Sequence, residues 1–127
     1  MILCLAMSYL MENQDEIERL ERKTGFEAVK EQASWAGLKE GMRVADIGCG
    51  SGRTSSFLKK LTGPEGEVVG VDFSEERLSY ARKTYGVEGL TFEQKNIYDP
   101  LEELGKFDFI WVRFLLEYHR DKQFQIV

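Results

Sequence analysis

A glycine-rich turn, Gly48-Cys49-Gly50-Ser51-Gly52, stands between an apolar run ending in Asp46-Ile47 and an amphipathic stretch from Arg53 to Leu61. That order restricts the chain to a strand, a tight loop and a helix. Three glycines in five residues continue neither regular element, and they leave main chain that another group can approach closely. Past the helix, Glu67-Val68-Val69-Gly70-Val71 is a second apolar run, and it stops at Asp72, twenty residues beyond Gly52. A near-continuous apolar run of this kind is the pattern of a strand buried on both faces, so two parallel strands joined by a helix are predicted.

The rest of the chain extends this unit. Ser74 suits a helix cap, with Glu75 and Glu76 in the first turn and an inward stripe of Leu78, Ala81 and Tyr85. Leu90 to Gln94 alternates as an edge strand does, and Phe107 to Val112 reads as an inner strand. Upstream, Glu12 to about Lys39 has helical periodicity broken at Thr24-Gly25, which predicts two short helices in an N-terminal segment 1–40 ahead of a domain 41–127. Strands alternating with helices imply right-handed crossovers and an α/β, Rossmann-like doubly wound parallel sheet.

In such a sheet, ligands bind at the carboxyl ends of the strands. There Gly48, Gly50 and Gly52 offer bare main chain, the first amides of the following helix face outward, and Asp72 is placed for two hydrogen bonds to a ribose diol. The linked pair specifies a nucleoside. The dinucleotide fingerprint Gly-x-Gly-x-x-Gly fails in both registers, because its last position falls on Arg53 or Ser55, and no Gly-Lys-Ser or Gly-Lys-Thr follows to make a phosphate loop.

Composition narrows the partners. The 127 residues carry a net charge of −5, which does not favour nucleic acid or an anionic membrane surface. With 43% apolar and 31% charged residues the chain is of the globular class. Cys4 and Cys49 lack metal-type spacing, so no metal site is expected, and a reducing cytoplasm fits them best. The opening MILCLAMSYLM is too short to span a bilayer and lacks the basic start of a secretory signal; it reads as a helix end, or an early start codon, with apolar residues packing on the domain.

VADIGCGSGRTS resembles motif I of the class I S-adenosylmethionine-dependent methyltransferases, and VVGVDFSEERLSYAR resembles their second motif with its ribose-binding acid. LTFEQKNIYDPL and FDFIWVRFLLEYHRD are similar to the third- and fourth-strand motifs, so the likeness runs over roughly residues 41 to 121, and YLMENQDEIERLE resembles a preceding helix of small-molecule members. The resemblance implies S-adenosyl-L-methionine as cofactor and a small-molecule methyl acceptor. It assigns Asp46 to the loop and the methionine ammonium, Gly48, Cys49, Gly50 and Gly52 to the cradle, and Asp72 to the ribose. Phe73 would pack on the adenine, and Asn96 and Ile97 would meet its amino edge. Arg113 and Arg19 would hold the methionine carboxylate, with Tyr9 nearby.

The residues themselves leave other roles open. Phe73 and Ile97 also suit a core, Arg19 and Tyr9 a helix surface, and Asn96 with Asp99-Pro100 a turn. His119 suits a solvated helix position, and Tyr118 stands where relatives often carry histidine. No catalytic base is assigned. The competing functions are a non-catalytic nucleoside-binding module and an NAD-binding oxidoreductase domain. Family members have a seven-stranded sheet, so a chain stopping after the fourth strand is expected to be the cofactor-binding part of a longer enzyme, with order 3-2-1-4. The 107–112 strand is then an open edge through which two copies would pair unless an N-terminal segment covers it.

Overall fold

The computed structural model describes residues 2–5, 25–96 and 98–113. Five strands form one sheet: β1 (Ile2–Leu5), β2 (Arg43–Ile47), β3 (Glu67–Asp72), β4 (Leu90–Gln94) and β5 (Phe109–Arg113), in the order β1-β5-β2-β3-β4. Every pairing is parallel, so all the carboxyl ends share one edge. The four strands read from the sequence take the expected 3-2-1-4 order. The last begins at Phe109, two residues later than expected; at Asp108 the side-chain Oδ2 accepts the Arg43 amide at 2.8 Å, where a strand would offer a main-chain carbonyl.

Helices α1 (Phe26–Trp35), α2 (Arg53–Thr62) and α3 (Glu75–Tyr85) pack on one face of the sheet. Their buried Val29, Ala33, Leu58, Leu78 and Ala81 meet Val44, Val68, Leu90, Phe92, Phe109 and Trp111. Alternation sends Ala45, Ile47, Val69, Val71 and Val112 to the opposite face, where Leu101, Leu104 and Phe107 from the β4–β5 connection pack on them. The two faces follow from handedness. Passing from β2 to β3 to β4 moves the chain one way with crossovers on one face, whereas returning past β2 to β5 requires the other. Strand order therefore reverses between β2 and β5, the position at which open α/β sheets bind ligands.

Two expectations about the N-terminal side change. Residues 2–5 form a strand, not a helix end: they pair with β5 from Ile2↔Ile110 to Leu5↔Arg113. The run Ile-Leu-Cys-Leu is short and apolar, which serves a sheet position as well as a helix end when neighbouring backbone supplies hydrogen bonds. The β5 edge is consequently covered, and the ground for pairing two copies through it is removed. The second expected helix is present as α1, starting after Gly25 and ending before Gly37. The first lies outside the described residues. None of the described helices is long and apolar enough to cross a membrane.

Candidate functional site

The loop after β2 is tied to the next strand before it reaches the helix. Gly48 and Cys49 both donate their amides to the Val71 carbonyl, at 2.7 and 2.9 Å, which turns the chain sharply over the tip of β3. Gly50, at φ +58, has open space where a side chain would stand. Gly52, at φ +90, is the reverse: a Cβ there would lie 2.8 Å from Ala81 Cβ and 2.9 Å from the Phe92 ring. One glycine thus keeps the loop bare and the other seats α2 against α3 and β4. Helix α2 has no side-chain cap, so its opening amides are left toward this edge of the sheet.

Asp46 is buried, and its Oδ2 accepts the Ser55 hydroxyl at 2.6 Å. Ser55 is itself fully buried on α2, so the pair locks the loop between strand and helix. Gly70, the register partner of Asp46, makes this possible: a Cβ on it would come within 3.0 Å of Ser55 Oγ and 2.7 Å of the Phe92 ring. Sequence reasoning missed Ser55 and Gly70. A glycine inside the otherwise β-branched Val68-Val69-Gly70-Val71 was the available signal, since glycine in a strand interior marks close approach.

At the end of β3, Asp72 is only 6% exposed. Its Oδ2 accepts the Ser74 amide at 3.3 Å and Arg77 Nη1 at 3.5 Å, while no described residue donates to Oδ1. The next residue, Phe73, is 63% exposed, which excludes a core role for it. Its carbonyl accepts Gln94 Nε2 at 3.1 Å, and the Arg77 guanidinium carbon lies 5.5 Å from its ring centroid. Ser74 caps α3 as expected, accepting the Arg77 amide at 3.3 Å.

Asn96 closes a turn beyond β4. Its Oδ1 accepts the Tyr98 amide at 3.0 Å, and its own amide donates to Asp99 Oδ2 at 2.7 Å. The turn reading is therefore realised, and the side-chain nitrogen is the group left to face a ligand. Cys49 is buried, and burial first, then the negative charges of Asp46 and Asp72, push its thiol well above the ordinary range. It stays protonated and fills space. Ile97, Arg19, Tyr9 and His119 lie outside the described residues, and of Arg113 the structure describes the backbone at the tip of β5.

A cavity of about 170 Å³ lies elsewhere, on the opposite face among Ala45, Ile47, Leu101, Leu104, Phe107 and Ile110. It is lined mainly by apolar groups, with Glu102 at its wall, and contains none of the candidate site residues. The chemistry converges instead at the adjacent tips of β2 and β3: a bare loop, uncapped helix amides, an exposed aromatic face and a carboxylate with one oxygen open. That set suits a nucleoside, with hydroxyls for the acid and a flat base for Phe73.

Residues 38–125 match the family model described as a methyltransferase domain. The demethylmenaquinone methyltransferase of Staphylococcus aureus is 33% identical over 79 residues, which are 61% of this chain and 33% of that protein. Among solved structures, a SAM-dependent methyltransferase from Aquifex aeolicus aligns with a TM-score of 0.59 and 27% identity, over 79% of this chain and 56% of its own. PKMT2 from Rickettsia typhi in complex with AdoHcy aligns with a TM-score of 0.59 and 29% identity, over 70% of this chain and 18% of its own. The chain spans about a third of the length of the curated relatives it matches.

Proposed function

This chain belongs to the class I S-adenosylmethionine-dependent methyltransferase family, and from that premise we propose that residues 41–127 hold S-adenosylmethionine for methyl transfer to a small-molecule acceptor. The observation that carries the reading is the pairing of an open glycine loop with a nearly buried acid on the next strand tip. Asp72 Oδ1 takes ribose hydroxyl donors, Phe73 offers its exposed face to the adenine, and Asn96 meets the base through its side-chain nitrogen. Asp46, held by Ser55, keeps the loop in shape so that Gly48, Gly50 and the α2 amides face the amino acid end. Arg113, at the tip of β5 across the strand-order reversal, is assigned to the methionine carboxylate, and Arg19 and Tyr9 are assigned to the same end of the cofactor from the motif they resemble.

The bound cofactor supplies a methyl group on a positively charged sulfur, open to direct displacement. What the chain contributes is position: two strand tips fix sugar and base, which sets where the methyl points, and rate follows from alignment and exclusion of water. A small acceptor is supported by the acidic balance of the chain and by the relative whose name specifies demethylmenaquinone. Titration calorimetry with S-adenosylmethionine, S-adenosylhomocysteine and NADH tests the reading. Heat with the first two and none with NADH is expected; preference for NADH refutes it. Failure of the whole gene product to methylate a quinol-type or other small acceptor, with cofactor bound, would favour a non-catalytic binding module.

A further inference from the structure

We propose that Arg77 is a positioning residue for the ribose-binding carboxylate, a role that rests on the cofactor reading above. Asp72 is almost buried, and its two oxygens are treated differently: Oδ2 takes Ser74 N–H at 3.3 Å and Arg77 Nη1 at 3.5 Å, and Oδ1 takes nothing from the described residues. A carboxylate on a short side chain can turn about its last bond, so pinning one oxygen from the protein side decides which oxygen a sugar meets. Arg77 is well placed to do the pinning. It sits in the first turn of α3 with its amide on Ser74 Oγ, so the same cap that starts the helix fixes the base of its side chain.

The same guanidinium lies 5.5 Å from the Phe73 ring centroid. One side chain therefore touches both the acid assigned to the sugar and the aromatic assigned to the base, and it braces the two relative to each other. Its long stem is 55% exposed, which keeps the interaction modest and places its loss in the range of a surface ion pair rather than a core contact.

The test compares adenosine with 2′,3′-dideoxyadenosine on the whole chain, for wild type, Arg77→Gln and Arg77→Lys, by titration calorimetry with circular dichroism as the folding control. Arg77→Gln is expected to weaken adenosine about three- to fivefold and leave the dideoxy compound within about twofold, so that the preference for the diol shrinks. Arg77→Lys, which keeps the charge, is expected to restore part of that preference. An equal loss for both compounds assigns Arg77 to packing alone and overturns the proposal, as does tighter adenosine binding by Arg77→Gln, which would make Arg77 a competitor of the sugar. Wild type that binds S-adenosylmethionine yet shows no preference for the diol also overturns it, while sparing the cofactor reading. Wild type that binds no adenosyl compound refutes that reading, and the role of Arg77 with it.

Discussion

Substituting Gly70 by alanine probes the geometry on which the glycine loop depends. The added methyl would lie 2.7 and 2.9 Å from two carbons of the Phe92 ring and 3.0 Å from Ser55 Oγ. Carbon contacts settle near ~3.5 to 4 Å, so the ring must withdraw by roughly 0.8 Å. The ring is buried, and the same edge also fills the space a side chain on Gly52 would need, so its withdrawal disturbs core packing. Overpacking of this kind costs about 1–3 kcal/mol. With a urea slope of about 1.5 kcal/mol/M, the midpoint of unfolding is expected to fall by about 0.7–2 M. Phe92→Leu removes the ring edge, so Gly70→Ala introduced on that background is expected to cost about 1 kcal/mol less than in wild type, a coupling measured by the double-mutant cycle. A Gly70→Ala midpoint within about 0.2 M of wild type, or strict additivity with Phe92→Leu, would falsify the close-approach argument.

Four further outcomes are expected from the site and the sheet. Asp72→Asn keeps shape but removes the charged acceptor, and S-adenosylhomocysteine affinity is expected to fall about 10- to 100-fold by calorimetry, a smaller loss meaning that the sugar is held elsewhere. In the Cys4→Ser background, Cys49 should resist a disulfide reagent at pH 8 until urea unfolds the chain; prompt labelling of folded protein would contradict its burial. Because burial raises the Cys49 thiol above its ordinary value of 9.0, the unfolded chain loses that proton first as pH rises. The associated stability is present below pH 9.0 and lost above it, by up to about 1.4 kcal/mol per pH unit, and Cys49→Ala should flatten that slope. At the opposite edge of the sheet, Arg43 bonds Glu67 at 3.1 Å and the Lys106 carbonyl at 2.8 Å and stacks 4.2 Å from the Phe107 centroid. Arg43→Ala is expected to destabilise by about 1 kcal/mol in urea titration, a loss that shrinks only in part at high salt because salt screens the partly exposed Glu67 pair more than the carbonyl bond and ring contact removed with it.

Much of the fold is legible locally because its determinants are local. Strands β2, β3 and β5 announce themselves as apolar runs and β4 by alternation, the Ser74 cap as a serine ahead of two glutamates, and the nucleoside edge as glycines followed by a strand-ending acid. Pairing partners are less legible. The opening Ile-Leu-Cys-Leu carries no periodicity long enough to separate strand from helix, and its place beside β5 depends on an edge presented a hundred residues later. The roles of Ser55 and Gly70 were hidden for a related reason: each is ordinary in its own element and gains meaning only when β3 lies beside β2.

The order of residues alone therefore settled the parallel α/β class, which rests on periodicity and handedness, and the resemblance of its motifs gave the family and with it the 3-2-1-4 order of the four strands read from the sequence. Tertiary structure decided which oxygen of Asp72 is left open, that Phe73 is exposed directly after the buried Val71 and Asp72, and that Asn96 spends its side-chain carbonyl on a turn. Those outcomes depend on distances between side chains far apart in the chain, which short-range patterning does not encode and only the packed sheet and its helices fix.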